Sequence, residues 1–162
     1  MTVPTRRKIF DVVGESFQTD AGLPRQSVLL AAEPGDPIRL EREPSNPHDA
    51  NAIAVFLGKH DIGHIGRVDA KMLAPILDRG TQYRAQVHRI KGCVPSAPSS
   101  GAVIAIAWEN QELPAPIPRD DEQVQYREEK VSTLKKSSTG CFGLVLAMLI
   151  IPPMVGVVVN IL

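Results

Sequence analysis

Apolar and polar positions change places quickly along the first two thirds of the chain, in runs of strand length. Lys8 to Gly14 reads as a first strand with Ile9, Val12 and Val13 apolar, and Gly14 lets the backbone turn sharply after it. Glu15 to Gly22 is polar and irregular except for Phe17. Pro24 to Ala32 suits a short helix, with Pro24 at a tolerated first-turn position. Pro34-Gly35-Asp36-Pro37 is a turn, after which Ile38 and Leu40 alternate with Arg39 and Glu41 as in a half-buried strand.

The stretch Glu43 to Arg67 comes next, and the rest of the chain is arranged around it. Pro44 and Pro47 fix φ, and Ser45 and Asn46 favour turns, so it opens on a rigid polar loop. Ala52 to Leu57 is a short apolar run suited to a buried strand. Gly58 to Asp61 reads as a polar turn, and Ile62 to Ile65 as the returning strand. The prediction is a β-hairpin with His48, Asp49 and Asn51 clustered at its mouth. Val68, Met72, Leu73, Ile76 and Leu77 then recur at helical spacing over 67–79, with Pro75 as a local conflict and Gly80 as a stop. Tyr83 to Ile90 alternates as a strand with one wet face, Val94 to Gly101 has the Pro and Ser content of a loop, and Ala102 to Trp108 is a final buried strand. Short strands with two interposed helices predict a mainly β domain, a small and partly open barrel.

The character changes after Trp108. Residues 109–139 read as a linker: Pro114-Ala115-Pro116-Ile117-Pro118 is a stiff extended spacer, and Arg119 to Lys136 is a highly charged helix with a thin apolar stripe at Val124, Val131 and Leu134. A solvated helix and a short coiled coil both fit that stripe. From Cys141 to Leu162 there are 22 residues without a charge, which as a helix span about 33 Å, enough for a hydrocarbon core of about 30 Å. Residues 140–162 are therefore expected to form a C-terminal transmembrane, tail-anchoring segment in contact with the lipid bilayer. Pro152-Pro153 would kink it or fold it back as a re-entrant hairpin. Lys130, Lys135 and Lys136 lie just before it, which predicts a single pass with the N-terminal domain in the cytoplasm. No apolar run follows the basic residues of Met1 to Lys8, so no signal peptide is expected.

Charge adds little to this picture. Lys and Arg number 13 against 11 acids in residues 1–92 and 5 against 7 in residues 93–162. That imbalance alone does not imply nucleic acid. Arg79, Arg84, Arg89 and Lys91 form a local run without an acid, read equally well as a sheet edge guarded by cations or as a phosphate-facing patch. Two distant cysteines, Cys93 and Cys141, exclude a disulfide framework and a Cys-type zinc site. His60 and His64 are four apart, but on a strand that is about 13 Å, too far to clasp one ion. With no Gly-rich phosphate loop and no Gly-x-Ser-x-Gly elbow, no catalytic residue, metal site or cofactor is expected.

The central residues also carry a family resemblance. Asn46-Pro47-His48-Asp49-Ala50-Asn51-Ala52-Ile53-Ala54-Val55, followed by Ile62-Gly63-His64-Ile65, resembles the HIRAN domain found at the N-termini of SNF2-type DNA-repair remodellers. Val12 to Phe17 matches that family's opening strand and first aromatic position, and Leu73 to Leu77 its helix, so the likeness covers residues 8–108. It implies an OB/SH3-like barrel and a nucleic-acid-binding module that grips single-stranded DNA ends without catalysis. By the same resemblance Phe17 and His48 fall on stacking positions, Asp49 on the carboxylate that accepts a 3′-hydroxyl, and Asn46, His64 and Arg67 on pocket and phosphate-contacting positions. Ser16 stands where the DNA-binding relative has an arginine and His48 replaces a larger ring, each change weakening the grip by about 1 kcal/mol or more. Plainer roles compete: Phe17 as a core aromatic, Asp49 and Asn51 as ties across the turn. The rival function is a membrane-tethered scaffold that docks a protein partner, its DNA pocket vestigial.

Overall fold

The computed structural model describes residues 6–19 and 22–137. Chain contacts divide the protein into two compact units, residues 1–128 and 129–162. The first is built from strands β1 (Arg7–Val13), β2 (Ile38–Arg42), β3 (Ile53–Leu57), β4 (His60–Ile65), β5 (Tyr83–Val94) and β6 (Ala97–Trp108). Helices α1 (Arg25–Ala31) and α2 (Arg67–Asp78) interrupt them, and a third helix, α3 (Asp121–Ser137), starts in the first unit.

The six strands form one antiparallel sheet in the order β2-β3-β4-β1-β6-β5. β1 is shared: Arg7 to Asp11 pair with β6, and Val12 and Val13 with β4. The sheet curls until its two edges approach, giving the half-open barrel the strand pattern predicts, OB-like as the family resemblance implies. The Tyr83 hydroxyl accepts from Leu40 N at 2.9 Å and donates to Leu40 O at 3.2 Å, pinning β2 to β5 across the seam. Phe10, Leu29, Ile53, Val55, Ile62, Leu73, Ile104 and Ile106 fill the interior.

One glycine of the central motif has a steric reason. Gly63 adopts φ +139, and a Cβ there would sit 2.4 Å from Val13 O and 2.8 Å from Val12 Cγ1. Only glycine lets β4 lie this close to the bend of β1.

Several elements differ from the sequence reading. The hairpin turn is only Gly58-Lys59, because Leu57 pairs directly with His60; Asp61 belongs to β4 and is buried. The Pro/Ser-rich stretch 94–101 is mostly ladder, with Lys91 opposite Gly101 and Val94 opposite Ala97. This part of β6 lies beyond the end of β1, so its prolines deprive no third strand of a donor. A hydrogen-bonded pair from Gln26 to Ser100, 2.9 Å to the carbonyl and 2.7 Å from the amide, ties α1 there instead. α2 runs through Pro75 without a break.

The Pro-rich segment after β6 is extended, yet it is bonded along the barrel. Gln86 Nε2 donates to Pro114 O at 2.9 Å, and Ile117 N to His88 O at 2.7 Å. Arg119, whose side chain is 3% exposed, donates through Nη2 to Leu29 O and Ala32 O, the carbonyls left open at the end of α1. Gln123 Nε2 donates to Ile90 O and Gly92 O, and Arg127 pairs with Glu33. Residues 111–127 thus act as a strap over the β5 edge and the end of α1. Burial, with the neighbouring Arg127 cation, pushes the Arg119 guanidinium below its ordinary range, against the opposing influence of Cys93 and Glu33.

The apolar stretch 140–162 lies outside the described residues, and with it the transmembrane expectation. Among the described residues no helix is long and apolar enough to cross a membrane.

Candidate nucleic-acid interface

The loop between β2 and β3 is held at its root by Arg42, at the end of β2. Its guanidinium donates to Ala52 O at 2.7 Å and Ala50 O at 3.1 Å, and is fixed from behind by Asp78 at 2.9 Å. Glu43 N bonds Ala52 O and Ala52 N bonds Asp49 O, closing the loop on itself. Its mouth is therefore preorganised by the protein's own hydrogen bonds.

Within the loop, Asn46 is a bracket. Its Oδ1 accepts from His48 N at 3.0 Å and Asp49 N at 3.4 Å, while its Nδ2 donates to Glu43 Oε2 at 2.8 Å. The same Glu43 oxygen meets His64 Nε2 of β4 at 3.1 Å. Burial pushes the Glu43 carboxyl up, but the hydrogen bonds from Asn46 and His64, with the charge on His64, outweigh it and leave the group below its ordinary value. Glu43 thus links the loop to β4.

Asp49 has two employments. Oδ1 accepts from Asn51 N at 2.8 Å, which is the turn-tying role, while Oδ2 faces Arg67 Nε at 3.5 Å. Arg67 is the first residue of α2 and also donates from Nη2 to His48 O at 3.1 Å. Its side chain is 75% exposed against 18% for Asp49, so the cation stands at the surface with the carboxylate recessed beside it. Gly66 caps α2 without a side-chain hydrogen bond, so no cap side chain takes the first-turn amides beside that cation. Asp69 in that turn is held by Lys8 at 2.7 Å.

Asn46, His48, Asp49 and Arg67 are thus joined by direct contacts, and His64 joins them through Glu43. Phe17 is tied in only through the backbone: it sits on the turn closed by Phe17 N to Gly14 O, just past Val13, whose cross-strand partner is His64. It is 68% exposed, which removes the core reading for this ring.

The sequence reading missed three supporting residues. Arg42 and Glu43 adjoin the motif and were legible as its polar flank. The third is Asp61, 5% exposed, whose Oδ2 takes Arg25 Nε at 2.7 Å and pairs with Nη2. Arg25 also donates to Gly14 O at 2.9 Å, beneath the Phe17 turn. The buried ion pair therefore fixes the turn that carries the aromatic ring. Among the described residues there is no cluster of His, Cys, Asp and Glu able to hold a metal ion.

The HIRAN domain model matches residues 13–109. Among solved structures, the HIRAN domain of human HLTF is 21% identical, with a TM-score of 0.47, covering 80% of this chain and 87% of its own. A protein from Lactobacillus plantarum is 24% identical, with a TM-score of 0.46, covering 61% of this chain and 91% of its own. No curated protein matches the chain. The family match runs from the end of β1 through β6 and includes the whole loop constellation from Phe17 to Arg67, and the chain belongs to the HIRAN domain family.

Proposed function

We propose that this HIRAN domain binds single-stranded DNA at its 3′ end, without catalysis. One observation carries the reading: a recessed carboxylate, Asp49, lies 3.5 Å from an exposed cation, Arg67, on a loop braced by Asn46 and Arg42. An isolated carboxylate repels phosphate. Beside Arg67 it becomes an acceptor for a neutral terminal hydroxyl while the guanidinium and the open first turn of α2 take the adjoining phosphate. The exposed ring of Phe17 and the exposed His48 supply flat faces for bases, and His64 and Asn46 hold the pocket wall. The test is competition between oligonucleotides ending in 3′-hydroxyl and in 3′-phosphate, with a clear preference for the hydroxyl.

The reading includes a membrane address. Residues 140–162 anchor the domain at a bilayer with the barrel on the cytoplasmic side, supported by 22 uncharged residues just after Lys135-Lys136. Extraction by salt or carbonate alone would count against it.

A second reading, docking of a protein partner at the same mouth, rests on Val68 and Met72. They are 86% and 39% exposed one helical turn apart on α2, beside Arg67.

A further inference from the structure

The sheet face opposite the core has a composition of its own. On β5, β6 and β1 the register sets Arg84, Ala107 and Arg7 side by side, then Gln86, Ala105 and Ile9, then Arg89, Val103 and Asp11. The alternate positions Val87, Ile104 and Phe10 point into the core, so these residues share the outward face. Arg7, Arg84 and Arg89 are exposed, whereas Ala107, Ala105 and Val103 between them are short and shielded.

Flanking strands on either side of β6 are about 10 Å apart, and same-face residues along a strand about 7 Å apart. The surface is therefore a shallow trough over short, buried residues, with Arg84 and Arg89 on the β5 wall and Arg7, Ile9 and Asp11 on the β1 wall. Among the described residues no acid pairs with Arg7 or Arg89, and Arg84 spends one N–H on the Gln111 carbonyl, which leaves its charge uncompensated. The acids nearby lie at its two ends: Asp11 holds Lys91 at 2.6 Å and Glu15 lies over Gly101, while Glu109 at the other end pairs with Arg6. On the other side the outward face of β1 runs through Ile9 to Val13, which stands opposite His64 of the loop site. From Arg7 to Val13 is about 20 Å.

We propose that this trough carries the phosphodiester backbone of the DNA strand several nucleotides inward from the end held at the loop. The inference rests on the end-binding reading and adds a second contact zone to it. The trough also accounts for the acid-free run Arg84 to Lys91, which the loop site does not use. It predicts that affinity grows with length beyond the first few nucleotides, and that the growth is electrostatic.

The test is fluorescence anisotropy on the full chain, comparing a trinucleotide with a 3′-hydroxyl oligonucleotide of about a dozen bases over a salt series. Arg7→Gln with Arg89→Gln should lower the salt slope for the longer strand by about 1.4, at about 0.7 per single-strand phosphate. A fourfold rise in salt then costs the variant about 7-fold less affinity than the wild type. Trinucleotide binding should not change, and Arg7→Lys with Arg89→Lys should restore the slope. An unchanged slope for the Gln pair overturns the trough while leaving the loop reading intact. Absence of hydroxyl preference in the wild type counts against the loop reading alone. If the Gln pair instead loses sedimentation with phosphatidylserine vesicles and keeps its oligonucleotide slope, the face serves a bilayer and the proposal is overturned.

Discussion

Arg67 Nε stands 3.5 Å from Asp49 Oδ2, between the first turn of a helix and the tip of a loop nearly twenty residues earlier. The pair is half surface and half recess, so as a source of stability it is worth little. Its consequence is chemical: it sets a hydrogen-bond acceptor and a phosphate-seeking cation within one ligand's reach.

The buried pair Arg25–Asp61 bears on stability instead. Removing one partner leaves the other charge buried and unpaired, so Asp61→Ala should cost about 3–5 kcal/mol in urea denaturation. A cost near that of an exposed ion pair, under about 1 kcal/mol, would contradict the burial described for Asp61.

Glu43 makes the loop sensitive to acid. Its folded-state carboxyl lies below the ordinary value of 4.5, so its contribution is complete above that pH and is lost as pH falls through the lowered value. Stability of the wild type should fall in that acid window more steeply than that of Glu43→Gln. Loop amide exchange at Asn46 to Asn51 should rise in the same range. Parallel acid profiles for the two proteins would remove Glu43 from this role.

The strap yields a truncation experiment. Chains ending after Trp108 lose the partners of the Leu29, Ala32, His88, Ile90 and Gly92 carbonyls, whereas chains ending after Glu128 keep them. At about 0.5–1.5 kcal/mol for each of these five hydrogen bonds, the shorter chain should be less stable by about 2.5–7.5 kcal/mol in denaturant. Equal stability of the two would make residues 109–128 a spacer.

These experiments fall where sequence reading and structure part company. β2 and α2 were legible because each alternates or repeats with a clear period, as Ile38 and Leu40 do against Arg39 and Glu41, and β3 because it is an unbroken apolar run; β1 was placed on Ile9, Val12 and Val13, whereas its buried residues are Phe10 and Val12. Asp61 was placed in a turn because a lone acid in a strand looks polar until its partner Arg25, 36 residues away, is known. Pro98 and Pro95 disguised the outer arms of the β5–β6 hairpin, and the prolines at 114, 116 and 118 disguised the strap. For Asp61 and the strap the deciding contacts were distant in the chain. That Asn46, His48 and Asp49 lie together was legible because they are sequence neighbours, whereas Glu43 and Arg42 take their meaning from His64 and Asp78.

The central claim is that Asp49 receives a terminal hydroxyl. Its most direct test measures binding of 3′-hydroxyl and 3′-phosphate oligonucleotides to the wild type and to Asp49→Ala. A lost hydrogen bond to a charged group is worth about 1.5–3 kcal/mol, so the wild type should prefer the hydroxyl end by roughly 10- to 150-fold and the variant should lose that preference. Equal affinity of the wild type for both ends, or an undiminished preference in Asp49→Ala, would contradict it.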